Sequence, residues 1–277
     1  TFRFLLGNLS DFDDQANAVS NWDDLEPIDQ YMMAKTAQLL ADVEQAYDSF
    51  KFNGVYRAVY DFVNDLSSVY MDVTKDRLYS ESPDSPRRRA VQTVLFNILE
   101  VLVRVLSPIL SFTADEVWEC YPEAMRNREG RVCNVQLAGW PHRSDFVPAL
   151  PGKQAEEKVL AAFVGALEVR DVVTKALEDA RGAKVINKSQ EATVSVTAPQ
   201  ATLDALSSFD ASVFEELFIV SGVTFAAGDE LACEVKPAEG DKCPRCWNYR
   251  ELGGNANHAD VCQRCGDALD AIGFTEE

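Results

Sequence analysis

Four of the seven cysteines of this 277-residue chain lie in two Cys-x-x-Cys pairs, an arrangement that can bind a metal ion. Cys243 and Cys246 are separated from Cys262 and Cys265 by fifteen residues, within the spacing of four-thiolate zinc sites. Each pair presents two sulfur atoms on one side of a tight turn, and two pairs complete a tetrahedron. Because four thiolates fill the coordination shell, we predict one structural Zn²⁺ and no catalytic metal.

The residues beside the cysteines fit an anionic metal cluster. Four thiolates and one Zn²⁺ leave a net charge of about −2 by addition of formal charges, and four cations surround them: Lys242, Arg245, Arg250 and Arg264. The glycines at 253, 254 and 266 are expected to relax the turns. Disulfides are the weaker interpretation in a chain without a secretory leader, and a redox centre would need only one pair.

The remaining thiols and histidines have ordinary interpretations. His258, four residues before Cys262, could replace a ligand, but with four thiols available we expect it to be a loop residue. Cys120, Cys133 and Cys233 are scattered singly, and we interpret them as packing thiols. With two histidines and neither a glycine-rich phosphate loop nor a Ser-His-Asp arrangement, the sequence predicts no active site.

Two features bear on nucleic-acid binding. Trp247 directly follows the second cysteine; it either covers the metal knuckle, which the sequence alone favours, or presents an exposed indole for base stacking. Arg87, Arg88 and Arg89 occupy the first turn of a predicted helix, where the helix dipole disfavours cations. Phosphate contact would explain that cost, and a solvated face is the alternative. The cations between Lys175 and Lys188 suit a helix C-terminus and its loop.

The net charge limits the kind of partner that the chain can bind. It is −19 at pH 7, whereas nucleic-acid binding depends on lysines and arginines that neutralise phosphates. Residues 1–50 carry two basic and ten acidic groups, and residues 191–235 carry none against eight. Since these blocks hold most of the negative charge, the composition disfavours non-specific binding but permits a local site, with both blocks facing away from RNA.

Composition also indicates the compartment. A hydrophobic content of 47% supports a real core, and no run approaches the roughly 18 apolar residues of a membrane span. We therefore expect a cytoplasmic monomer without membrane contact. The chain starts at Thr1 inside what reads as a helix, so we expect a fragment of something longer.

Apolar spacing predicts an antiparallel helix bundle over residues 1–122. The predicted helices begin at Pro27, at Val55 after a break at Asn53-Gly54, and at Pro86 after an N-cap at Ser85. A short helix with Thr113 and Glu116 as a capping box, and Asp115 also as a capping residue, is expected to end at Pro122. A connector with an extended piece at 132–140 then leads to a helix over about 153–181.

The rest of the chain reads as a small α+β unit followed by the cysteine segment. "EATVSVTAP", "FIVSGVTFA" and "LACEVKP" are strand-like, and "QATLDALSSF" is a short helix. The fold prediction is mainly α: a helical bundle, a helix, a small α+β unit and a zinc knuckle. The predicted domains are 1–150, 151–239 and 240–277.

Four stretches together resemble the C-terminal third of bacterial isoleucyl-tRNA synthetases, which are class I aminoacyl-tRNA synthetases. They are "TFRFLLGNLSDFD", "YMDVTKDRLY", "PILSFTADEVW" and "EGDKCPRCWNY…CQRC". The first three resemble the helical anticodon-binding domain that the valine and leucine enzymes share, and "CPRCW" singles out the isoleucine enzyme. The family's zinc ligands carry over onto Cys243, Cys246, Cys262 and Cys265. The family pattern "IGxSLEA" reads "INKSQEA" here, with Asn187 and Gln190 as departures.

The resemblance implies a parent enzyme that joins isoleucine to its tRNA using ATP and Mg²⁺. The ATP-site signatures His-Ile-Gly-His and Lys-Met-Ser-Lys-Ser do not occur in these 277 residues, so this stretch would bind tRNA while catalytic and editing domains lie elsewhere in the same chain. The expected tRNA contacts are Arg87, Arg88, Arg89, Lys242, Arg245, Trp247, Arg250 and Arg264. The alternative is a zinc-stabilised protein-interaction module without an RNA role.

Overall fold

The computed structural model describes residues 1–275, and their contacts divide the chain into two compact units. Unit 1 comprises Thr1–Asp72 and Asp84–Val159, and unit 2 comprises Val73–Pro83 together with the residues from Leu160 onward. The three-part division expected from the sequence stays a prediction. Within residues 1–275, no helix combines the length and apolar character that crossing a bilayer requires.

Most of the chain is helical. In chain order the α-helices are α1 (Phe2–Asn8), α2 (Pro27–Asp48), α3 (Phe52–Asp65), α4 (Met71–Val73), α5 (Lys75–Ser80), α6 (Pro86–Leu106), α7 (Ser111–Glu119), α8 (Glu123–Arg126), α9 (Lys153–Gly182), α10 (Gln200–Leu206), α11 (Ala211–Phe218) and α12 (Gln263–Ala271). The strands are β1 (Ala192–Ala198), β2 (Gly222–Ala227), β3 (Ala232–Pro237), β4 (Asp241–Lys242) and β5 (Tyr249–Arg250). The predicted mainly-α class is confirmed.

Helix α6 is the central element of unit 1. It begins at Pro86, whose fixed φ suits a first helical turn, and 14 of its 21 residues are buried. A helix that is apolar around most of its circumference must be covered on several sides, and α6 contacts α1, α2 and α7. Because each large apolar side chain contributes roughly 1.5–3 kcal/mol on burial, α6 supplies much of the core of unit 1.

Direction alternates between successive long helices, as predicted for the bundle. Near the starts of α2 and α6, Arg87 lies 3.0 Å from the Glu26 carboxylate. Near their ends, the Tyr47 hydroxyl donates to the carbonyl of Val105 (2.9 Å). The helices α2 and α6 therefore run in the same direction. Helix α3, which lies between them in the chain, runs in the opposite direction.

The break between α2 and α3 differs from the prediction. The chain turns at Ser49–Lys51, where Phe50 adopts φ 54°, and Asn53 and Gly54 already lie within α3. A methyl group at Gly54 would lie 3.3 Å from the Cβ of Ala46. Gly54 therefore serves the close approach of two helices, and its predicted place in the turn is wrong. Helix α3 then continues through a π-helical turn, Leu66–Tyr70, into α4.

Two predictions around α7 are wrong. Helix α7 begins at Ser111, so Thr113 lies inside it and forms no capping box with Glu116. Asp115 accepts a hydrogen bond from the backbone N–H of Val135 (3.3 Å) and so holds the following loop. That loop is a 3₁₀ turn at Val135–Leu137 instead of an extended piece, because the Asn134 side chain accepts from the N–H of Gln136 (2.9 Å).

Unit 2 contains a three-stranded sheet in the order β2-β1-β3. Strand β1 pairs in parallel with β2 and antiparallel with β3. Burial alternates along β1, with Ala192, Val194, Val196 and Ala198 inward, as the alternating sequence predicts. The parallel pairing requires a crossover, and α10 and α11 supply it.

Helix α11 was missed in the sequence analysis. The stretch "FIVSGVTFA" reads as one strand, but Phe218 is the last residue of α11 and Ile219 ends the helix in the left-handed region at φ 58°. The strand begins only at Gly222. Phe214, Leu217 and Phe218 are buried at helical spacing, a periodicity that the following β-branched residues obscure.

We expect Asp11→Asn to destabilise unit 1 at neutral pH and to have little effect in strong acid. Hydrogen bonds from Arg88 are the main cause that lowers the pKa of Asp11 from 3.8 to about 2. A depressed pKa stabilises the fold above the unfolded value, and that stabilisation is lost as pH falls from 3.8 through about 2.

Urea unfolding of wild type and variant, followed by circular dichroism from neutral to acidic pH, measures the effect. The difference in unfolding free energy should shrink with falling pH. Asp42→Asn, on an exposed face of α2, is the matched control. A difference of the same size at every pH would contradict the assignment.

Candidate functional site

The backbone brings the two cysteine pairs together from a hairpin and a helix start. Cys243 and Cys246 lie in the turn between β4 and β5, closed by a hydrogen bond from the N–H of Cys243 to the carbonyl of Asn248 (3.0 Å). Cys262 is the residue before α12, and Cys265 lies in its first turn. A β-bridge between Leu252 and Cys262 joins the two halves.

The four sulfur atoms form a cluster with the dimensions of a tetrahedral zinc site. All four cysteines are buried, and their sulfur atoms lie within 4.8 Å of one another. Zinc–sulfur bonds of about 2.3 Å in a tetrahedron place sulfur atoms roughly 3.8 Å apart, and Cys246 and Cys262 are separated by 3.8 Å. The donor set, its burial and its spacing therefore fit Zn²⁺.

The electrostatics of the cluster favour a thiolate. The Cys265 thiol hydrogen-bonds to Cys246, which lowers the pKa of Cys246 to about 4, while the same bond raises the pKa of Cys265. Arg264 assists by its charge, and the Arg245 side chain hydrogen-bonds to Cys265. Metal binding requires deprotonated sulfur. The lowered pKa favours the thiolate at Cys246, whereas burial raises the pKa of Cys262 and the bond to Cys246 raises that of Cys265.

The cysteines themselves make up most of the core of this segment. Beside them, Val261 is buried and Leu252 and Leu269 are partly buried in the same cluster. So small an apolar core cannot offset the conformational entropy of about 30 ordered residues. We therefore expect the segment to depend on its metal for folding.

The other candidate ligands do not join the cluster. His258 is buried in the loop before α12, with its Nε2 3.4 Å from the Asp270 carboxylate, which fits the loop role predicted for it. Cys120 and Cys133 are exposed and Cys233 is half-buried. The interpretation of Cys120 and Cys133 as packing thiols is thus wrong, because isolated cysteines carry no sequence signal of burial.

Two of the four cations predicted at the metal rim bind the segment Val73–Pro83 of the same unit. Arg264 forms a two-pronged ion pair with Asp76, with Nη2 2.9 Å from Oδ1, and its Nη1 lies 3.7 Å from Glu81. The Arg245 guanidinium donates to the carbonyl of Ser80. These contacts fasten α5 beside the cysteine cluster.

A buried ion pair also holds α5. Arg77 is fully buried, and its Nε lies 2.5 Å from the carboxylate of Glu216 on α11. Removing one partner of a buried pair typically costs about 3–5 kcal/mol because the other charge is left uncompensated. The segment Val73–Pro83 is therefore an integral part of unit 2.

The three arginines at the start of α6 are held by carboxylates. Arg87 pairs with Glu26, Arg88 with Asp11 (2.7 Å), and Arg89 with Asp84 (3.1 Å) as well as with Asp11. The side chains of Arg88 and Arg89 are only 15% and 11% exposed. These ion pairs offset the cost of placing cations in the first turn of a helix, for which phosphate contact and a solvated face were the two interpretations. The tRNA role of these arginines stays a prediction.

Trp247 lies at the surface of the knuckle. Its side chain is 48% exposed, and its backbone adopts φ 67°, unusual for a non-glycine residue. The ammonium of Lys188 lies 4.0 Å from the ring centroid and that of Lys242 lies 5.8 Å from it. The indole is thus half-exposed beside two cations, and its stacking and covering roles both stay predictions.

Lys188 is the member of this surface that sequence reasoning missed. The sequence places it in the loop after a helix, and the structure agrees. Its contact with the Trp247 ring, 59 positions later in the chain, could not be predicted. Separations of this length carry no local signal. Of the remaining rim cations, Lys242 is exposed and Arg250 lies 3.9 Å from Glu215.

Comparison with known protein families gives separate matches for the helical region and for the cysteine segment. Residues 29–196 match the anticodon-binding domain of tRNA ligase, and residues 240–267 match the zinc finger found in FPG and IleRS. Isoleucine–tRNA ligases from Geobacillus kaustophilus, Syntrophomonas wolfei and Thermotoga maritima are 42%, 37% and 38% identical over 96%, 97% and 96% of this chain. The chain spans 29%, 29% and 28% of their own lengths.

The bundle around α6 and the match over more than half of the residues place the chain in the family of anticodon-binding domains of tRNA ligases. Within that family its similarity is to isoleucine–tRNA ligases. The resemblance inferred from the four sequence stretches is thereby confirmed.

We expect purified protein to contain one zinc per chain and Cys262→Ser to lose it, since three thiolates leave the tetrahedron incomplete. Metal analysis measures the content, and Cys233→Ser, outside the cluster, is the matched control. Chelation should increase hydrogen exchange over about residues 240–270 and leave α6 protected. A metal-free protein with a protected cysteine segment would contradict the prediction.

We expect Gly266→Ala to weaken the zinc segment, although alanine in a helix is ordinarily about 1 kcal/mol better than glycine. A methyl group at Gly266 would lie 2.4 Å from the Cβ of Asn255, and the Asn255 amide donates to Asp267 and Asp270. Zinc retention against a competing chelator measures the effect. Gly7→Ala in α1 is the control, because its methyl would meet no described atom within 4 Å.

Proposed function

We propose that this chain binds the anticodon arm of isoleucine tRNA as part of a longer isoleucine–tRNA ligase. The observation that carries the proposal is the half-exposed indole of Trp247 between the ammonium groups of Lys188 and Lys242. Membership of the anticodon-binding family supports the same class of partner.

The chemistry of this surface suits an unpaired base. Anticodon bases are single-stranded and are recognised by stacking on aromatic rings and by hydrogen bonds to their edges. Every base offers a π-face, so an exposed indole can stack without regard to sequence, and adjacent ammonium groups neutralise the phosphates that accompany the base. Which base edges are read then depends on neighbouring groups.

In this proposal one structural Zn²⁺ is held by Cys243, Cys246, Cys262 and Cys265. The metal supplies no reaction step: with four thiolates it has no open coordination position. Its role is to fix the turn between β4 and β5, and with it the indole that the turn carries. The cysteine cluster and the zinc-finger match support this role.

Phosphate contacts are assigned by exposure. Lys242, near the Trp247 ring, and Arg250 in β5 are both exposed and are the proposed contacts on the knuckle. Arg245 and Arg264 bind the segment Val73–Pro83, so we propose that they support the site from behind. Among the arginines of α6, Arg87 has the most exposed side chain, at 39%, and it is the one we retain as a proposed tRNA contact.

The activity of the whole enzyme belongs to the proposal as well. A longer isoleucine–tRNA ligase would attach isoleucine to its tRNA with ATP and Mg²⁺ at catalytic and editing domains outside these residues, in the cytoplasm and as a monomer. The names of the relatives support the attachment of isoleucine to tRNA.

A zinc-stabilised protein-interaction module is the second candidate, and specific observations favour it. The net charge is −19, and large apolar side chains are exposed on unit 1, with Phe50 at 80% and Phe112 at 93%. Exposed apolar groups that adjoin one another mark protein-binding surfaces, whereas scattered single ones are common on any protein.

Titration with isoleucine tRNA and with an anticodon-altered version, each at several salt concentrations, separates the candidates. The RNA role predicts affinity that falls steeply with salt and depends on the anticodon. Equal affinity for both RNAs would remove the anticodon role, and no binding at low salt would leave the protein-interaction module.

We expect Trp247→Ala to weaken tRNA binding by roughly 1–3 kcal/mol, the value of one aromatic–base stack, with normal zinc content. Fluorescence anisotropy of labelled tRNA and metal analysis provide the two readouts. Val164→Ala, an exposed position on α9, is the control. Loss of zinc in Trp247→Ala would support the covering role, and normal zinc with unchanged affinity would remove both roles.

A further inference from the structure

Lys188 reaches Trp247 from a loop that the sequence does not connect to the knuckle. The loop follows α9 and leads through a 3₁₀ turn, Ser189–Glu191, into β1. The position of Lys188 lies within the anticodon-binding match, whereas Trp247 lies within the zinc-finger match. The surface that they form therefore exists only where the two matched regions meet within unit 2.

A carboxylate braces the loop around Lys188. The Oε2 atom of Glu191 accepts hydrogen bonds from the backbone N–H of Asn187 (2.8 Å) and from its side-chain amide (3.2 Å). The N–H of Glu191 donates to the carbonyl of Lys188 (3.0 Å). Glu191 thus closes the turn on both sides of Lys188 and fixes the direction in which the lysine leaves the backbone.

One hydroxyl joins the braced loop to the zinc hairpin. Ser221 Oγ donates to the carbonyl of Gln190 (2.5 Å) and accepts from the N–H of Tyr249 in β5 (2.8 Å). Gln190 belongs to the Lys188 loop, and Tyr249 lies two residues after Trp247. Lys188 and the indole are therefore attached to one hydrogen-bonded frame, and their proximity does not rest on the cation–π contact alone.

The charges around Trp247 suit an anionic ligand even though the carboxylate of Glu191 lies in the neighbouring loop. Backbone and side-chain hydrogen bonds from Asn187 lower the pKa of Glu191, with Lys242 contributing through its charge. The carboxylate is thus ionised at neutral pH and directed toward Asn187, while the ammonium groups of Lys188 and Lys242 lie against the indole. An aromatic face beside two cations matches a base and its flanking phosphates.

We infer that Lys188 and Trp247 form a cation–aromatic clamp for an unpaired nucleotide of single-stranded RNA, in which Lys188 contacts a phosphate beside the stacked base and Glu191 is the positioning residue that holds Lys188 in place. The inference rests on the proposed function and adds to it the phosphate contact of Lys188 and the positioning role of Glu191. It predicts that removing the Glu191 carboxylate weakens RNA binding, whereas removing an acid from an RNA-binding surface ordinarily strengthens binding.

The test is a salt-dependent titration of the 277-residue chain with isoleucine tRNA. Lys188→Gln should weaken binding and reduce the salt slope by roughly 0.7–0.9, the loss of about one phosphate contact. Glu191→Ala should also weaken binding and reduce the slope, although it removes a negative charge. Glu191→Gln keeps an oxygen that can accept from Asn187 and should bind at least as tightly as wild type.

Two matched controls isolate the clamp. Lys184→Gln removes an exposed cation shortly before the loop, and Glu251→Gln removes an exposed acid beside β5. The first should lower affinity less than Lys188→Gln, and the second should leave affinity unchanged or raise it. Zinc content should be normal in every variant, and in Glu191→Ala the amide of Asn187 should exchange faster with solvent.

The outcomes separate this inference from the function on which it rests. Anticodon-dependent binding by wild type, with Lys188→Gln equal to Lys184→Gln in affinity and slope, overturns the clamp and leaves the function standing. Tighter binding by Glu191→Ala overturns the positioning role. Absence of wild-type binding overturns both. If Glu191→Ala loses zinc, Lys188→Gln alone decides.

Discussion

Convergence of four sulfur atoms within 4.8 Å is the constraint on which the functional half of the molecule depends. Four thiolates this close repel one another unless a cation lies between them, and few apolar side chains are available to replace them as a core. The hairpin turn, the exposed Trp247 and the Tyr249 N–H that binds Ser221 all follow from that cluster. The proposed clamp therefore depends on the hairpin, and the hairpin depends on the metal site.

Internal pairing explains how a chain of net charge −19 can belong to an RNA-binding family. Many of its arginines pair with carboxylates: Arg264 binds Asp76, Arg77 binds Glu216, and Arg88 binds Asp11. These pairs hold secondary-structure elements together instead of attracting polyanions over a distance. In the proposed function, RNA affinity comes from a small surface of lysines around Trp247, as expected for a specific site with little non-specific binding.

Local sequence predicts most of the helices correctly, and its ambiguity also explains the predictions that are wrong. Pro27 and Pro86 begin α2 and α6 as predicted. Proline suits a first helical position because its φ is already helical and because the backbone N–H that it lacks would have no partner within the helix. Gly54 was misplaced into a turn, because a glycine chosen for close helix packing looks the same in sequence as one chosen for its backbone freedom. Phe218 was assigned to a strand for a similar reason: short apolar runs do not distinguish a helix end from a strand.

The sequence by itself predicted the cysteine cluster and the family, because Cys-x-x-Cys spacing is a local geometric requirement of a metal-binding turn. Only the tertiary structure decided what the cations do. Arg245 and Arg264 are neighbours of the cysteines in sequence yet bind the segment Val73–Pro83, while Lys188 is remote in sequence yet lies 4.0 Å from the Trp247 ring. The physical reason is that a charged side chain pairs with whatever the fold brings within a few ångströms, and sequence distance carries no information about that.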